Sequence, residues 1–196
     1  MGYHVTRALP EDRDGFRFRG GSSVLDLAGT RQARLSTAPR ELLASPADLG
    51  RWLTSAGLAS SAPEVSDTDL LAARALREAI FTLAGGRTGR AANVARKTLN
   101  EIAAESTAVP ELKRDGRVVL TGGAGALLAT LAREAVRLFG SEAAKLIRQC
   151  EAPNCTLYFL DTSRRGDRRW CSMLACGNRA KVAEFRRRRA KGGSRR

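Results

Sequence analysis

The sequence predicts an α+β protein: a mostly helical N-terminal domain with a few short strands, followed by a small zinc-ribbon-like finger made of a β-hairpin and a basic helix. Three observations carry this prediction. Capped stretches of helical periodicity recur up to residue 139, and all four cysteines fall between positions 150 and 176. The charge balance changes at the same place. Residues 145–196 hold 15 Lys/Arg against 4 Asp/Glu, a surplus of 11 within a whole-chain net charge of +14. The expected division is a helical domain over 1–145, a finger over 146–190 and a basic, disordered tail over 191–196.

The elements follow in order. The segment 16–30, "FRFRGGSSVLDLAGT", alternates and then turns apolar, broken by Gly20-Gly21. It reads as two short strands or a hairpin. "SPADLGRWL" supplies Ser45 as N-cap, Pro46 at the first helical position and Asp48 two further on, a strong helix start. Leu49, Trp52 and Leu53 then recur at helical spacing. "SDTDLLAARALREAIFTLAGG" repeats the pattern: Ser66 caps, and Leu70, Leu71, Ala73, Leu76, Ile80 and Leu83 share a face until Gly85-Gly86. A third helix is expected over about 91–105, with Val94, Leu99 and Ile102 inward. Asp115-Gly116 between extended flanks signals a hairpin. "AGALLATLAREAVRLF" is a strongly amphipathic helix over 124–139, and Ser141 caps a short helix leading to Gln149.

Composition limits the function classes. A chain of 196 residues with 43% hydrophobic and 28% charged residues can bury a core without disulfides. Its surplus of positive charge is local, so the last quarter is expected to meet an anionic partner. No apolar run approaches the ~18–20 residues of a membrane span, so no membrane partner is expected. The N-terminus lacks the apolar segment of a signal peptide. A cytoplasmic protein with reduced thiols is the expectation, and four cysteines there point to a metal more than to disulfides.

The cysteines are spaced Cys150-x4-Cys155, fifteen residues, then Cys171-x4-Cys176. Two local pairs joined by a strand-turn-strand supply four thiolates for one structural zinc ion, which can fold a short segment around itself. An iron–sulfur centre and a redox disulfide pair are the alternatives to zinc. The connecting "TLYFLDTSRRGDRRW" fits a β-hairpin with its turn at 163–167 and Leu157, Phe159 and Trp170 as apolar supports. Beyond it, Gly177 and Asn178 suit a turn into a helix on which Val182 and Phe185 can pack against the finger. Arg164, Arg165, Arg168 and Arg169 in the hairpin, and Asn178, Arg179, Lys181, Arg186, Arg187, Arg188 and Arg189 in the helix, are the candidate phosphate contacts. The competing reading is a solvated tail that aids solubility.

The stretch "FLDTSRRGDRRWCSMLACGNRAK" closely resembles the zinc finger named for its Cys-Gly-Asn-Arg signature, here Cys176, Gly177, Asn178 and Arg179. The region before it is similar to that family's N-terminal domain, called ABATE, through "VLDLAGT", "SPADLGRWL" and "ALREAI". The resemblance covers essentially the whole chain and is strongest in the last 50 residues. It implies a bacterial stress-induced transcription regulator in which Cys150, Cys155, Cys171 and Cys176 bind zinc and the basic helix contacts DNA. The resemblance leaves the role of the first domain open; sensing a small-molecule effector or forming a homodimer is the expectation here. Two readings compete with the DNA-binding regulator: an RNA- or ribosome-associated zinc ribbon, and a redox sensor whose zinc thiolates oxidise.

Lesser motifs resolve into structural roles. "LTGGAGALLA" lacks the Lys-Ser/Thr of a phosphate loop, and Leu128 stands where a dinucleotide fingerprint needs Gly or Ala, so a simple helix start is expected. Asp26 and Thr30 in "LDLAGT" are expected to cap a turn rather than to line a pocket. The short segment 40–43 before the helix at 47–58 is too small for helix-turn-helix. Catalysis has no constellation behind it: His4 is the lone histidine, and a zinc with four thiolates has no open position for water.

Overall fold

The fold is that of a computed structural model, and the described residues are 11–192, with side chains through Arg186. His4 therefore lies outside the described residues. Among the described residues, four two-stranded antiparallel sheets decorate a helical core: β1 (Asp12–Arg13) with β2 (Phe16–Arg17), β3 (Arg31–Gln32) with β4 (Arg40–Glu41), β5 (Val109–Leu112) with β6 (Val118–Thr121), and β7 (Ile147–Gln149) with β8 (Tyr158–Leu160). The helices are α1 (Ser23–Ala28), α2 (Pro46–Ser55), α3 (Asp67–Ala84), α4 (Gly89–Ala104), α5 (Ala124–Phe139) and α6 (Asn178–Gly192). No helix among the described residues is long and apolar enough to cross a membrane.

Capping chemistry sets the helix starts as the sequence predicts. Ser45 and Asp48 form a reciprocal capping box on α2, and Ser66 and Asp69 do the same on α3. Each box satisfies amides that the first turn leaves unpaired, worth about 1 kcal/mol. α3 packs on α4 and α5, and α1 lies against both α3 and α5. Leu49, Trp52, Leu53, Leu76, Ile80, Leu127, Leu128 and Leu131 are fully buried in the resulting core.

Several expectations are corrected. "SVLDLA" is the helix α1, not a strand. Ser22 caps it, and all residues of Val24–Ala28 are buried, Asp26 included, so the run is buried on every side and its period says nothing. The 40–43 segment begins with β4 instead of forming a helix. Leu71 and Val94 face outward at 63% and 58% exposure, because Ala73, Ala92 and Ala95 supply the tight helix contacts in their place. The hairpin at Asp115-Gly116 forms as expected, with Gly116 at φ +80°. α6 extends to Gly192, two residues into the stretch expected to be tail, and residues 193–196 lie outside the described set.

Asp26 and Thr30 do close turns. The buried Asp26 carboxyl accepts the Gly20 N–H at 2.7 Å, and the Thr30 hydroxyl donates to the Leu27 carbonyl at 2.7 Å. Burial pushes the Asp26 carboxyl up to about 7, against the amides of Gly20 and Arg19 and the charge of Arg13, which pull it down. Between pH 4 and 7 the folded chain keeps this proton and the unfolded chain has lost it, so stability falls as pH rises through that window. The loss is up to about 4 kcal/mol. Asp26→Asn should flatten this slope in denaturant unfolding followed from pH 4 to pH 8.

Arg77, in the middle of α3, is 2% exposed and grips both Glu41 carboxylate oxygens at 2.5 and 2.7 Å. Its Nε also reaches Glu78 at 2.9 Å. Burial raises the Glu41 carboxyl, yet the Arg77 hydrogen bonds more than offset it and hold the group below its usual range. Arg34 joins the network through Glu78 at 2.6 Å and lies over the Phe81 ring. Arg77→Ala should cost about 3 kcal/mol by leaving Glu41 without its bidentate partner, and adding Glu41→Ala should recover part of it. Urea unfolding of the single and double variants checks this.

Candidate metal centre and nucleic-acid interface

The finger is built onto the body through β8. Alternation along the strand sends Tyr158 and Leu160 to one face and Phe159 to the other. Tyr158 is buried in the helical core, edge-on to Phe81 with ring centroids 5.2 Å apart, and Leu160 packs on the same core. Phe159 is fully buried in a second, small core with Leu157, Ala152 and the cysteines. The Leu160 N–H donates to the Gly20 carbonyl at 2.8 Å, the same residue whose amide Asp26 holds. Gly20 has to be glycine there, since a Cβ would lie 2.7 Å from Leu25 Cβ. Gly85 at the end of α3 makes room for the Tyr158 hydroxyl, which would lie 2.8 Å from a Cβ there.

The strand pairing differs from the expected hairpin. β8 pairs with β7, which precedes Cys150, in the register Ile147↔Leu160, Arg148↔Phe159 and Gln149↔Tyr158. The return segment toward Trp170 is not a strand; its backbone meets the segment after β7 through the Glu151 N–H to Arg169 carbonyl bond at 2.9 Å. The reason is Asp161. Its buried carboxylate accepts from the Ser163 amide and hydroxyl at 3.0 and 2.5 Å and from the Arg168 amide at 2.9 Å, closing a loop where a ladder would run. The Ser163 hydroxyl leads these donors in holding the Asp161 carboxyl below its usual range. The expected turn survives as Gly166 N–H to Ser163 carbonyl, with Gly166 at φ +65°.

Cys150, Cys155, Cys171 and Cys176 are free thiols, and their four Sγ atoms all lie within 4.8 Å of one another. Cys155 and Cys171 are 4.0 Å apart, and Cys171 and Cys176 are 3.6 Å apart. Thiolates about 2.3 Å from a tetrahedral zinc stand ~3.8 Å from each other, so the spacing fits one such ion. Hydrogen bonds from Cys155 and Cys171 hold the Cys150 thiol low, whereas its contacts with Cys150 and Cys155, together with burial, push Cys171 up. Four sulfurs this close cannot all ionise unless a cation takes the charge. The Cys171 amide points at Cys150 Sγ at 3.4 Å, and Arg179 Nη2 at Cys176 Sγ at 3.1 Å, donors that suit thiolates. The four cysteines are thus positioned to hold one structural zinc ion. Bound there, the zinc would join the Cys150–Cys155 and Cys171–Cys176 segments around a core whose large apolar side chains are Leu157, Phe159 and Trp170.

Cys176 sits in a π-helical turn, Met173–Gly177, that runs straight into α6. The extra residue per turn lets Cys176 face the sulfur cluster while α6 leaves in line; the sequence reads this as a simple turn because its Ser172 cap gives no sign of helix type. Val182 and Phe185 do not bury against the finger and are 49% and 59% exposed.

The candidate basic residues separate into two groups. Arg164 and Arg165 are exposed on the turn, and Asn178, Arg179, Lys181 and Arg186 are exposed on α6. The backbone of Arg187, Arg188 and Arg189 continues the helix. Arg168 instead turns inward: Nε donates to the Trp170 carbonyl at 2.8 Å, Nη2 to the Cys171 carbonyl, and its guanidinium lies over Phe159 at 4.7 Å. Arg169 pairs with Glu151 at 2.6 Å and lies over Trp170 at 5.2 Å. Sequence inspection has no means of sorting "RRGDRR" this way, since the difference lies in which carbonyls the fold aims inward.

A four-cysteine metal knuckle fused through a shared strand to a helical body defines a zinc-finger protein. Residues 21–142 match the ABATE model, described as a putative stress-induced transcription regulator, and residues 147–189 match the CGNR zinc finger. The chain belongs to the ABATE family and carries a CGNR zinc finger at its C-terminal side. None of the curated proteins matches it.

Metal analysis should return one zinc per chain. Arg168→Ala should release zinc to a chelator several-fold faster, because its bonds to the Trp170 and Cys171 carbonyls are gone. Arg164→Ala should leave the release rate unchanged, which a chromogenic chelator assay measures directly.

Proposed function

We propose that this protein is a DNA-binding transcription regulator in which residues 146–190 contact DNA and residues 1–145 form a regulatory body. The observation that supports this reading best is the position of the charge: two exposed basic elements, the Arg164-Arg165 turn and the start of α6, flank a single metal knuckle. Helix α6 begins with Asn178, Arg179 and Lys181 and continues with Arg186, Arg187, Arg188 and Arg189, a series suited to tracking phosphates. Arg164 and Arg165 would meet the backbone on the other side of the knuckle. Arg168 stays with the fold of the finger, and zinc acts by fixing the direction in which α6 departs. The family description and the absence of any acid–base or nucleophile constellation among the described residues favour a regulator over an enzyme.

Titration with genomic DNA fragments at several salt concentrations tests this. Affinity should fall by about 0.9 log unit per log unit of salt for each phosphate neutralised. Changing Arg186, Arg187, Arg188 and Arg189 to alanine should lower the slope by about 0.9 for each phosphate that is no longer neutralised. Chelation of zinc should abolish binding, and an unchanged slope in the arginine variant would overturn the assigned surface.

A further inference from the structure

Alternation along β2 buries Phe16 in the helical core and turns Arg17 the other way. There Arg17 lines an open cleft of about 570 Å³. Two distant stretches of chain form it: Asp12, Arg17 and Arg19 come from the body, and Leu174, Val182 and Arg186 from the π-helical turn and α6. A cleft of this volume has room for a sugar-phosphate unit of a nucleic acid.

The charges lining the cleft are not equally committed. Arg19 holds the Asp12 carboxylate, and its Nε also lies 3.6 Å from Glu11. Arg179 lines the same cleft but aims Nη2 at Cys176 Sγ, so its charge belongs to the metal knuckle. Arg17 and Arg186 make no hydrogen bond or ion pair among the described residues. Two uncommitted guanidinium groups, one from each part of the chain, thus share a cleft whose lining carboxylate already has its partner. Such a cleft concentrates positive potential and favours an anion. Beside these arginines Leu174 is 81% exposed and Val182 49% exposed. A small hydrated anion leaves both aliphatic side chains bare. The backbone of DNA, in which phosphate and deoxyribose alternate, meets the arginines and the aliphatic surface together.

We infer that this cleft takes the backbone of one DNA strand, with Arg17 of the body and Arg186 of α6 each neutralising a phosphate. The inference rests on the DNA-binding reading above and extends it: the helical body supplies part of the DNA surface as well as regulating the finger. A strand held there touches β2 and α6 at once, so binding fixes the body against the finger. Arg17 also borders Cys155 and Leu157 in an adjoining recess, which keeps it beside the knuckle. Nothing in "FRFRG" marks Arg17 for this role, because residues 17 and 186 come to one cleft only in the fold.

Titration of the zinc-loaded full chain with duplex genomic DNA fragments at several salt concentrations provides the test. Arg17→Ala should lower the slope of log affinity against log salt by about 0.9, and Arg17→Ala with Arg186→Ala by about 1.8, as one and then two phosphates lose their partners. Arg17→Lys keeps the charge and should keep the slope. Arg114→Ala removes an exposed arginine between β5 and β6, outside the cleft, and should leave the slope unchanged. Zinc content and the urea midpoint of Arg17→Ala should match those of the parent chain. If Arg17→Ala keeps the parental slope while the variant lacking Arg186, Arg187, Arg188 and Arg189 loses slope, the composite cleft is overturned and the finger's DNA contact stands. An equal loss of slope in Arg114→Ala would make the effect one of net charge and overturn the proposal. A lowered slope accompanied by loss of zinc would place Arg17 in the fold of the knuckle and also overturn it. Failure of the parent chain to bind DNA overturns both readings.

Discussion

The structure depends on one strand having two insides. Tyr158 and Leu160 point into the helical body, and Phe159 points into the metal knuckle. A strand's strict alternation makes this possible, and it ties two cores of very different size through three residues. The larger core buries apolar side chains from several helices. The smaller one has too few large side chains to fold unaided, so it takes its stability from two sources: a metal held by four sulfurs, and a wall already fixed by the body.

This arrangement couples sites that are far apart in the chain. Asp26 holds the Gly20 amide, Gly20 receives the Leu160 amide, and Leu160 is the neighbour of both Phe159 and the loop-closing Asp161. Each link is a short hydrogen bond or a glycine forced by close approach. The Arg77–Glu41 pair and Arg34–Glu78 brace the other side of the same region, where Phe81 meets Tyr158. A change in the body that moved α1 or the end of α3 would therefore move β8, and β8 sets the knuckle from which α6 departs. In the proposed reading, this contiguous contact is what links the body to the finger.

Legibility in the sequence follows the range of the interactions involved. Serine caps, proline and glycine stops, and the amphipathic faces of α2, α3 and α5 are local, and they place those helices within a few residues. The cysteine pairs are also nearly local, and the ligand set is evident from their spacing. Where an apolar run is buried on all sides, as in α1, periodicity carries no signal. Where small residues replace large ones at helix contacts, as at Ala92 and Ala95, the larger Val94 reads as interior although it faces solvent. The knuckle's strand pairing escapes a reading of the sequence because its decisive group, Asp161, acts on amides several residues away and looks like an ordinary turn aspartate.

By itself the sequence determined the class of the protein: a capped helical body, a four-thiolate metal site and a basic terminal segment. Those properties arise from residue type and short spacing, which the chain carries into any fold. Only the tertiary structure decided what each residue near the metal does. It turned Arg168 inward to carbonyls, aimed Arg179 at the Cys176 sulfur and left Arg164 and Arg165 facing outward. Nothing in "RRGDRRW" separates those fates, because they depend on which backbone groups and which helix the fold places beside each side chain.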